Sequence, residues 1–446
     1  MRPPAQTVFV MPRPPARHDR RPRRHTSPRG QHSDAPATAV ERGDHSEDPP
    51  VEVTIERIVP GGAGLGHAGG HTIFVPLTAP GDRVRIQIER RQGSVVHASL
   101  VKVIEPAPER VEPPCPVYGR CGGCDFQHLS YDAQLHAKSE IVRDCLRRIG
   151  GIDLSVELVI VPSALPLAYR TRAEWHVDAA RRQVGYLARK SATIIDAPTC
   201  PILVPALNNA LSQVRAAVDS DGPSSASVEV TAASGDAAAT WALTHELEGS
   251  VLPELTATVG AETYRFDAGC FFQVNQAILP LLFDEALRGH EPSARLTEHA
   301  LALDLYCGVG LFTLPLARRF SRVIGIESHA RSAGFARRNL REAGLVSARI
   351  KTDEVDRWLR VHASRLDPVQ TVLLDPPRSG VEPSTIDSLL LLQPNCITYI
   401  SCDPATLARD LKALVGAPGD YRVERITAFD MFPQTHHVET VAHLVR

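Results

Sequence analysis

Cys402 has a setting suited to a nucleophile. It follows the apolar run Tyr399-Ile-Ser and precedes Asp403-Pro404, where a helix is expected to open. A thiol just ahead of a helix N-terminus lies near the positive end of the dipole, which favours the thiolate. Without such help a thiol, with a pKa of ~8.5, is only a few per cent ionised at neutral pH. A buried structural cysteine is the ordinary alternative. Glu439 lies in Phe432-Pro-Gln-Thr-His436-His-Val-Glu439-Thr and leads into the strand-like run Val441–Val445. A carboxylate in apolar surroundings gains proton affinity, which suits a general base. For His436 and His437, pocket lining and plain packing are equally compatible with the sequence.

Two further motifs could hold a small molecule beside this pair. Asp304-Leu-Tyr-Cys-Gly-Val-Gly310 reads as a strand, a glycine turn and the start of a helix. Small residues there let a nucleotide-like ligand approach the backbone. The third glycine of the dinucleotide pattern is missing. The next strand ends in Glu327, about 20 residues on, where an acid can accept both ribose hydroxyls of a nucleoside. Asp375-Pro-Pro-Arg-Ser-Gly380 follows the apolar run Val372–Leu374, and its two prolines make a stiff loop at a strand end. Arg378 stands where enzymes that methylate exocyclic amines carry an aromatic residue, which argues against that chemistry. Phe271-Phe-Gln273-Val-Asn275 joins two aromatics to two amides. It reads equally as core or as a contact to cofactor or base.

A third group is Cys115-x5-Cys121-x2-Cys124, with Cys200 in Thr-Cys200-Pro much later. Four thiolates in this 3 + 1 arrangement suit an iron–sulfur cluster. Zinc, which more often takes two close pairs, and no metal at all stay open. The other cysteines, Cys145, Cys270, Cys307 and Cys396, lie in apolar or strand contexts and read as core.

The elements that must position these residues follow from composition and periodicity. The chain has 446 residues, 43% of them hydrophobic and 22% charged. That length suggests about three domains, and the composition excludes a wholly disordered chain. The net charge of −2 means that nucleic-acid binding would need a local patch. No apolar run reaches the ~18 residues of a membrane span. Nine cysteines without a signal peptide point to a reducing, cytoplasmic compartment. Residues 1–48, rich in Pro, Arg, His and Ser, read as a disordered basic leader. From Val51 alternating residues and a glycine-rich turn predict four or five short strands, an OB-like barrel over 49–106 with Arg83, Arg85, Arg90, Arg91 and Lys102 as a basic face. Gln134–Arg148 has helical spacing. Residues 155–265 read as mostly β with one helix near Leu203–Val218 and a Gly/Ser/Pro loop at Asp219–Ser227. From Leu301 strands and helices alternate, which predicts a parallel sheet with ligands at its carboxyl edge.

Together these motifs resemble the RNA 5-methyluridine methyltransferases, class I enzymes that use S-adenosylmethionine; the likeness covers residues from about 50 to the end. It implies a multidomain α/β chain: an RNA-binding TRAM barrel (49–106), a central α+β domain with a cluster loop (107–270) and a C-terminal Rossmann-like methyltransferase domain (271–446). It implies Cys402 as nucleophile and Glu439 as base, with Gln273, Tyr306, Glu327 and Asp375 on S-adenosylmethionine. It further implies a [4Fe-4S] cluster on Cys115, Cys121, Cys124 and Cys200. Leu311 departs from relatives with a polar residue there, and Ala232–Ala239 matches nothing. The chemistry is coherent: C5 of uracil is a poor nucleophile until a thiolate adds to C6, after which C5 takes a methyl group and a base removes its proton. The target must be unstacked, as in an RNA loop. The expected partner is a tRNA or rRNA, bound by a monomer. Rival readings are a cytosine-C5 enzyme, an RNA-binding assembly factor and a DNA enzyme.

Overall fold

The computed structural model describes residues 49–153, 158, 160–220, 227–244, 251–290, 300–416 and 421–446. The leader over 1–48 and residues 221–226 of the expected Gly/Ser/Pro loop lie outside them.

Alternation of buried and exposed residues sets the first unit. Strands β1 (Val51–Ile58), β2 (Gly64–Ala68), β3 (His71–Val75), β4 (Arg83–Gln92) and β5 (Val95–Glu105) close into a barrel in the order β1-β2-β3-β5-β4. Val53, Ile55, Ile73, Val75, Val84, Ile86 and Val96 fill its interior, as inward positions of a small barrel must. The expected basic face is smaller than the sequence suggests. Glu52 pairs with Arg83 at 3.0 Å and with Arg85 at 3.1 Å, and Glu105 also holds Arg83. Cross-strand neighbours thus neutralise two of the five cations.

Helix α1 (Tyr131–Cys145) follows the cysteine loop, and Ser130 caps it by accepting from the Ala133 N–H. It continues as a wider turn to Gly150 and ends at Gly151, which adopts φ +66°. Strand β6 (Ile160–Val161) comes next. Strands β7 (Arg172–Asp178), β8 (Gln183–Leu187) and β9 (Ile194–Asp196), helix α2 (Pro205–Ser220) and strands β10 (Ser227–Ser234) and β11 (Ala239–Leu243) form the central unit. Its sheet runs β11-β10-β7-β8-β9, with α2 packed on it through Leu207, Leu211 and Val214. The alanine-rich stretch at 232–239 joins β10 to β11, and its Ala232 and Ala233 are buried.

The hairpin β12 (Leu255–Val259) and β13 (Glu262–Phe266) packs into the same core as the C-terminal sheet. That sheet uses β14 (Leu301–Leu305), β15 (Arg322–Glu327), β16 (Ala348–Thr352), β17 (Val369–Leu374), β18 (Cys396–Ser401), β19 (Arg422–Phe429) and β20 (Glu439–Val445). Helices α3 (Leu279–Ala286), α4 (Thr313–Arg319), α5 (Ala330–Glu342), α6 (Val355–His362), α7 (Pro383–Leu392) and α8 (Pro404–Val415) accompany it. The order is β16-β15-β14-β17-β18-β20-β19-β6. The first five strands run parallel, and β20 enters antiparallel between β18 and β19. Every residue of β14 is buried, as a central parallel strand requires. Strand β6 adds the far edge by pairing with β19. Among the described residues no helix is long and apolar enough to cross a membrane.

Candidate active site

The carboxyl edge of this sheet gathers the residues that the sequence singles out there. After β14 the chain turns sharply: Tyr306 has φ +64°, Gly308 +54° and Gly310 +93°. A left-handed tyrosine stores strain that the surrounding fold must hold, a common feature of functional sites. Gly310 also has no room for a side chain, since a Cβ would come 3.1 Å from Leu314. The buried Asp304 accepts from the Thr313 hydroxyl, which ties strand to helix. Burial pushes the Asp304 carboxyl up to about 7.

Glu327, at the end of β15, faces this turn. Its carboxylate accepts from the Gly308 N–H at 2.9 Å and the His329 N–H at 2.7 Å. It thereby lies against the glycine turn, where a ribose would meet it. At the end of β17, Asp375 accepts from the Gln273 amide at 3.3 Å. The Phe271-Phe-Gln273 motif therefore reaches the site through Gln273. Phe272 instead stacks on Phe266 in the core, while Phe271 is exposed.

Cys402, directly after β18, and Glu439, the first residue of β20, are brought side by side. The pairing of Ser401 with Thr440 in the β18–β20 ladder brings their backbones together. Glu439 is only 2% exposed, and both burial and the Asp375 carboxylate raise its proton affinity well above the usual range. Arg378 opposes this more weakly.

The structure sets opposing influences beside the expected thiol activation. Burial, Glu439 and Asp375 push the Cys402 thiol up to about 12, while the Arg378 guanidinium, hydrogen-bonded to the sulfur, pulls the other way. The helix dipole is not free to help. Asp403 caps α8, and its carboxylate accepts from the Ala405 and Thr406 N–H groups, each at 2.9 Å. The positive end of the helix is spent on Asp403. Arg378 is a neighbour of Cys402 and Glu439 that the sequence reading missed; its signal was the cation in Asp375-Pro-Pro-Arg378, noted only for what it excluded.

Cys200 and the cysteine loop come within electrostatic reach of each other. Cys200 acts electrostatically on Cys121 and Cys124, and Cys115 on Cys121 and Cys200. An isolated bridge between Cys121 and Ala188 docks the cysteine loop on the central sheet. The Gly123 N–H points at the Cys121 sulfur at 3.4 Å, and Arg189 donates to the Cys124 carbonyl at 2.7 Å. Among the described residues no group of three or more His, Cys, Asp or Glu side chains is placed to hold a metal ion. Of the cysteines read as core, Cys145, Cys270 and Cys307 are buried. Cys396 is not: it starts β18 at the amino edge of the sheet, and it lines a cavity of about 330 Å³ with Arg425 and His443.

A glycine turn, an acid on the neighbouring strand and a proline-stiffened Asp loop on one edge of a parallel sheet define a class I S-adenosylmethionine-dependent methyltransferase. Comparison with known proteins narrows the class. Residues 250–446 match the model of the tRNA (uracil-5-)-methyltransferases, and residues 51–108 match the TRAM domain of tRNA (uracil(54)-C(5))-methyltransferase. The 23S rRNA (uracil(1939)-C(5))-methyltransferase RlmD of Alkalilimnicola ehrlichii is 32% identical over 88% of this chain and 96% of its own length. RlmD of Vibrio parahaemolyticus is 30% identical over 87% of this chain and 94% of its own length. Among solved structures, the tRNA (uracil-54, C5)-methyltransferase of Pyrococcus abyssi in complex with S-adenosyl-L-homocysteine superposes with a TM-score of 0.67. It is 26% identical and covers 88% of this chain and 100% of that one. The chain belongs to the RNA uracil-C5-methyltransferase family, whose methyl donor is S-adenosylmethionine.

Proposed function

We propose that this enzyme methylates C5 of a uridine through a covalent bond between Cys402 and C6. The observation that carries this reading is the convergence of Cys402, Glu439, Asp375 and Arg378 at one edge of the sheet. Gln273, Tyr306, Glu327 and Asp375 bind S-adenosylmethionine, which supplies an electrophilic sulfonium methyl group. Arg378 favours the Cys402 thiolate. The sulfur bonds to C6, the ring electrons move to C5, and C5 takes the methyl group. Glu439 then accepts the C5 proton; the C5=C6 bond re-forms, and the C6–S electron pair returns to sulfur. The raised proton affinity of Glu439 suits this last step.

Cys115, Cys121, Cys124 and Cys200 would hold a [4Fe-4S] cluster. The asymmetric 3 + 1 spacing of these thiolates along the chain suits a multi-iron group better than zinc. The reaction needs no electron transfer, so the cluster would order the loop that carries its ligands. The RNA is a tRNA or rRNA that presents its uridine in a loop. The barrel (49–106) would grip that RNA and the central unit with its cysteine loop would carry the cluster; the transfer unit would begin near 250 rather than at the expected 271, because the hairpin β12–β13 shares the core of the C-terminal sheet. A thiol nucleophile and thiolate cluster ligands would call for a reducing, cytoplasmic setting. A monomer is the plain default for such an enzyme.

The test is tritium release from RNA labelled at uracil C5. Donor-dependent release is expected from the intact enzyme, and none from Cys402→Ala. Release by that variant would remove Cys402 as the nucleophile. No release from the intact enzyme with bulk RNA lacking the modification would point to cytosine.

A further inference from the structure

The segment leading into Glu439 is gripped by parts of the chain far away in sequence. Asn275 donates to the Met431 carbonyl at 3.3 Å, Lys138 to the Phe432 carbonyl at 3.0 Å and Tyr169 to the Pro433 carbonyl at 3.0 Å. Gln434, at φ +70°, donates its N–H to Gln134 at 2.9 Å. Its carbonyl accepts from the Asp125 and Phe126 N–H groups at 3.1 and 3.0 Å. The Asp125 carboxylate then accepts the His436 N–H at 2.8 Å and faces the His436 ring Nδ1. The barrel closes over this pair: a Cβ on Gly62 would come 2.9 Å from the His436 Cβ and 3.1 Å from the Asp125 carboxylate.

Asp125 directly follows Cys124, and His436 lies three residues before Glu439. The hydrogen bonds therefore link the cysteine loop to the strand that bears the base. Cys402 is held differently, by β18 and the cap of α8. The two halves of the reaction rest on separate supports.

We infer that Asp125 and His436 are a positioning pair that aims Glu439 at the C5 proton. The seating of the cysteine loop then governs release of the methylated product and leaves bond formation to Cys402 untouched. This rests on the reading of Cys402 as nucleophile and Glu439 as base. Because the β19–β20 ladder still holds Glu439 through its pairing with Phe429, losing the pair shifts the carboxylate by a fraction of its reach rather than freeing it. A displacement of ~1 Å can slow a step by about 10²-fold.

The experiment uses full-length, iron-loaded enzyme, S-adenosylmethionine and ordinary uridine RNA. Three quantities are read: methyl groups on RNA in a single turnover, RNA–protein adduct surviving denaturation, and iron content. Glu439→Gln is the reference and should trap methylated adduct. His436→Ala and Asp125→Ala should retain single-turnover methylation yet release product about 10²-fold more slowly, with methylated adduct accumulating. His436→Asn, which keeps a donor near the place of Nδ1, should recover much of the release rate. If Asp125→Ala loses its iron, the His436 variants alone decide, since they leave the cysteine loop's own residues in place. Adduct from Glu439→Gln with wild-type release from His436→Ala would overturn the positioning pair alone. Loss of methylation and adduct together in iron-loaded His436→Ala would also overturn it, because the pair would then serve both steps. Absence of adduct from Glu439→Gln would instead fell the base assignment beneath it.

Discussion

Asp430 and Glu439 sit at the two ends of one segment, nine positions apart, and both are buried. Their surroundings are opposite. Asp430 is met by Lys138, whose side chain is as fully buried as its own, and by the Tyr131 hydroxyl at 2.8 Å. Glu439 is met by a second carboxylate, Asp375, and by a weaker opposing influence from Arg378. The first carboxylate has the partners that burial of a charge demands. The second is placed where its charge is costly, which is how a fold holds a carboxyl ready to take a proton. The difference separates a latch from a base, although both are acids in one buried stretch.

The largest effect should come from breaking the latch. Lys138→Met leaves Asp430 buried without its cation, and this should destabilise the protein by about 3–5 kcal/mol. Denaturant unfolding measures it. Lys138→Met combined with Asp430→Leu should recover much of that loss, because replacing both partners removes the stranded charge. If the single variant were nearly neutral, Asp430 would need no cation and the contrast with Glu439 would collapse. Next in size, Tyr131→Phe removes the hydrogen bond to the same carboxylate and the acceptor of the Ser163 N–H, and leaves Lys138 in place. A loss of about 1.5–3 kcal/mol is expected, the usual worth of a hydrogen bond to a charged group.

These contacts mark what the sequence could and could not disclose. Asp304, Gly308, Gly310 and Glu327 are legible because a strand, a tight turn and the next strand place them within a short stretch of chain. Cys402 is legible for the same reason: an apolar strand runs into Asp403-Pro404. The barrel follows from alternation alone. What stays hidden depends on pairings across the chain. Asp125 and His436 are 311 positions apart, and neither residue type announces the other. The antiparallel entry of β20 between β18 and β19, which sets Glu439 beside Cys402, leaves no local periodicity to read. The capping role of Asp403, by contrast, was legible in Asp403-Pro404, an acid before a proline at a helix start, and was passed over.

The smallest effect has the opposite sign and tests the other half of the contrast. Glu439 has a higher proton affinity folded than unfolded. Below the unfolded carboxylate range both states carry the proton, and its titration costs nothing. As pH rises from there through the folded pKa, the unfolded chain sheds its proton first. The folded state then binds more protons, so its stability falls with rising pH. Glu439→Gln abolishes that titration. It should stabilise the protein at neutral pH by about 1 kcal/mol and should make no such difference at pH 4. Thermal unfolding of both proteins at the two pH values checks this. The same variant should lose product release, so stability and activity move in opposite directions. Were Glu439→Gln to destabilise the protein at neutral pH, Glu439 would be a second latch like Asp430, held by partners that value its charge. The base would then have to be sought in Asp375, the other carboxylate acting on Cys402.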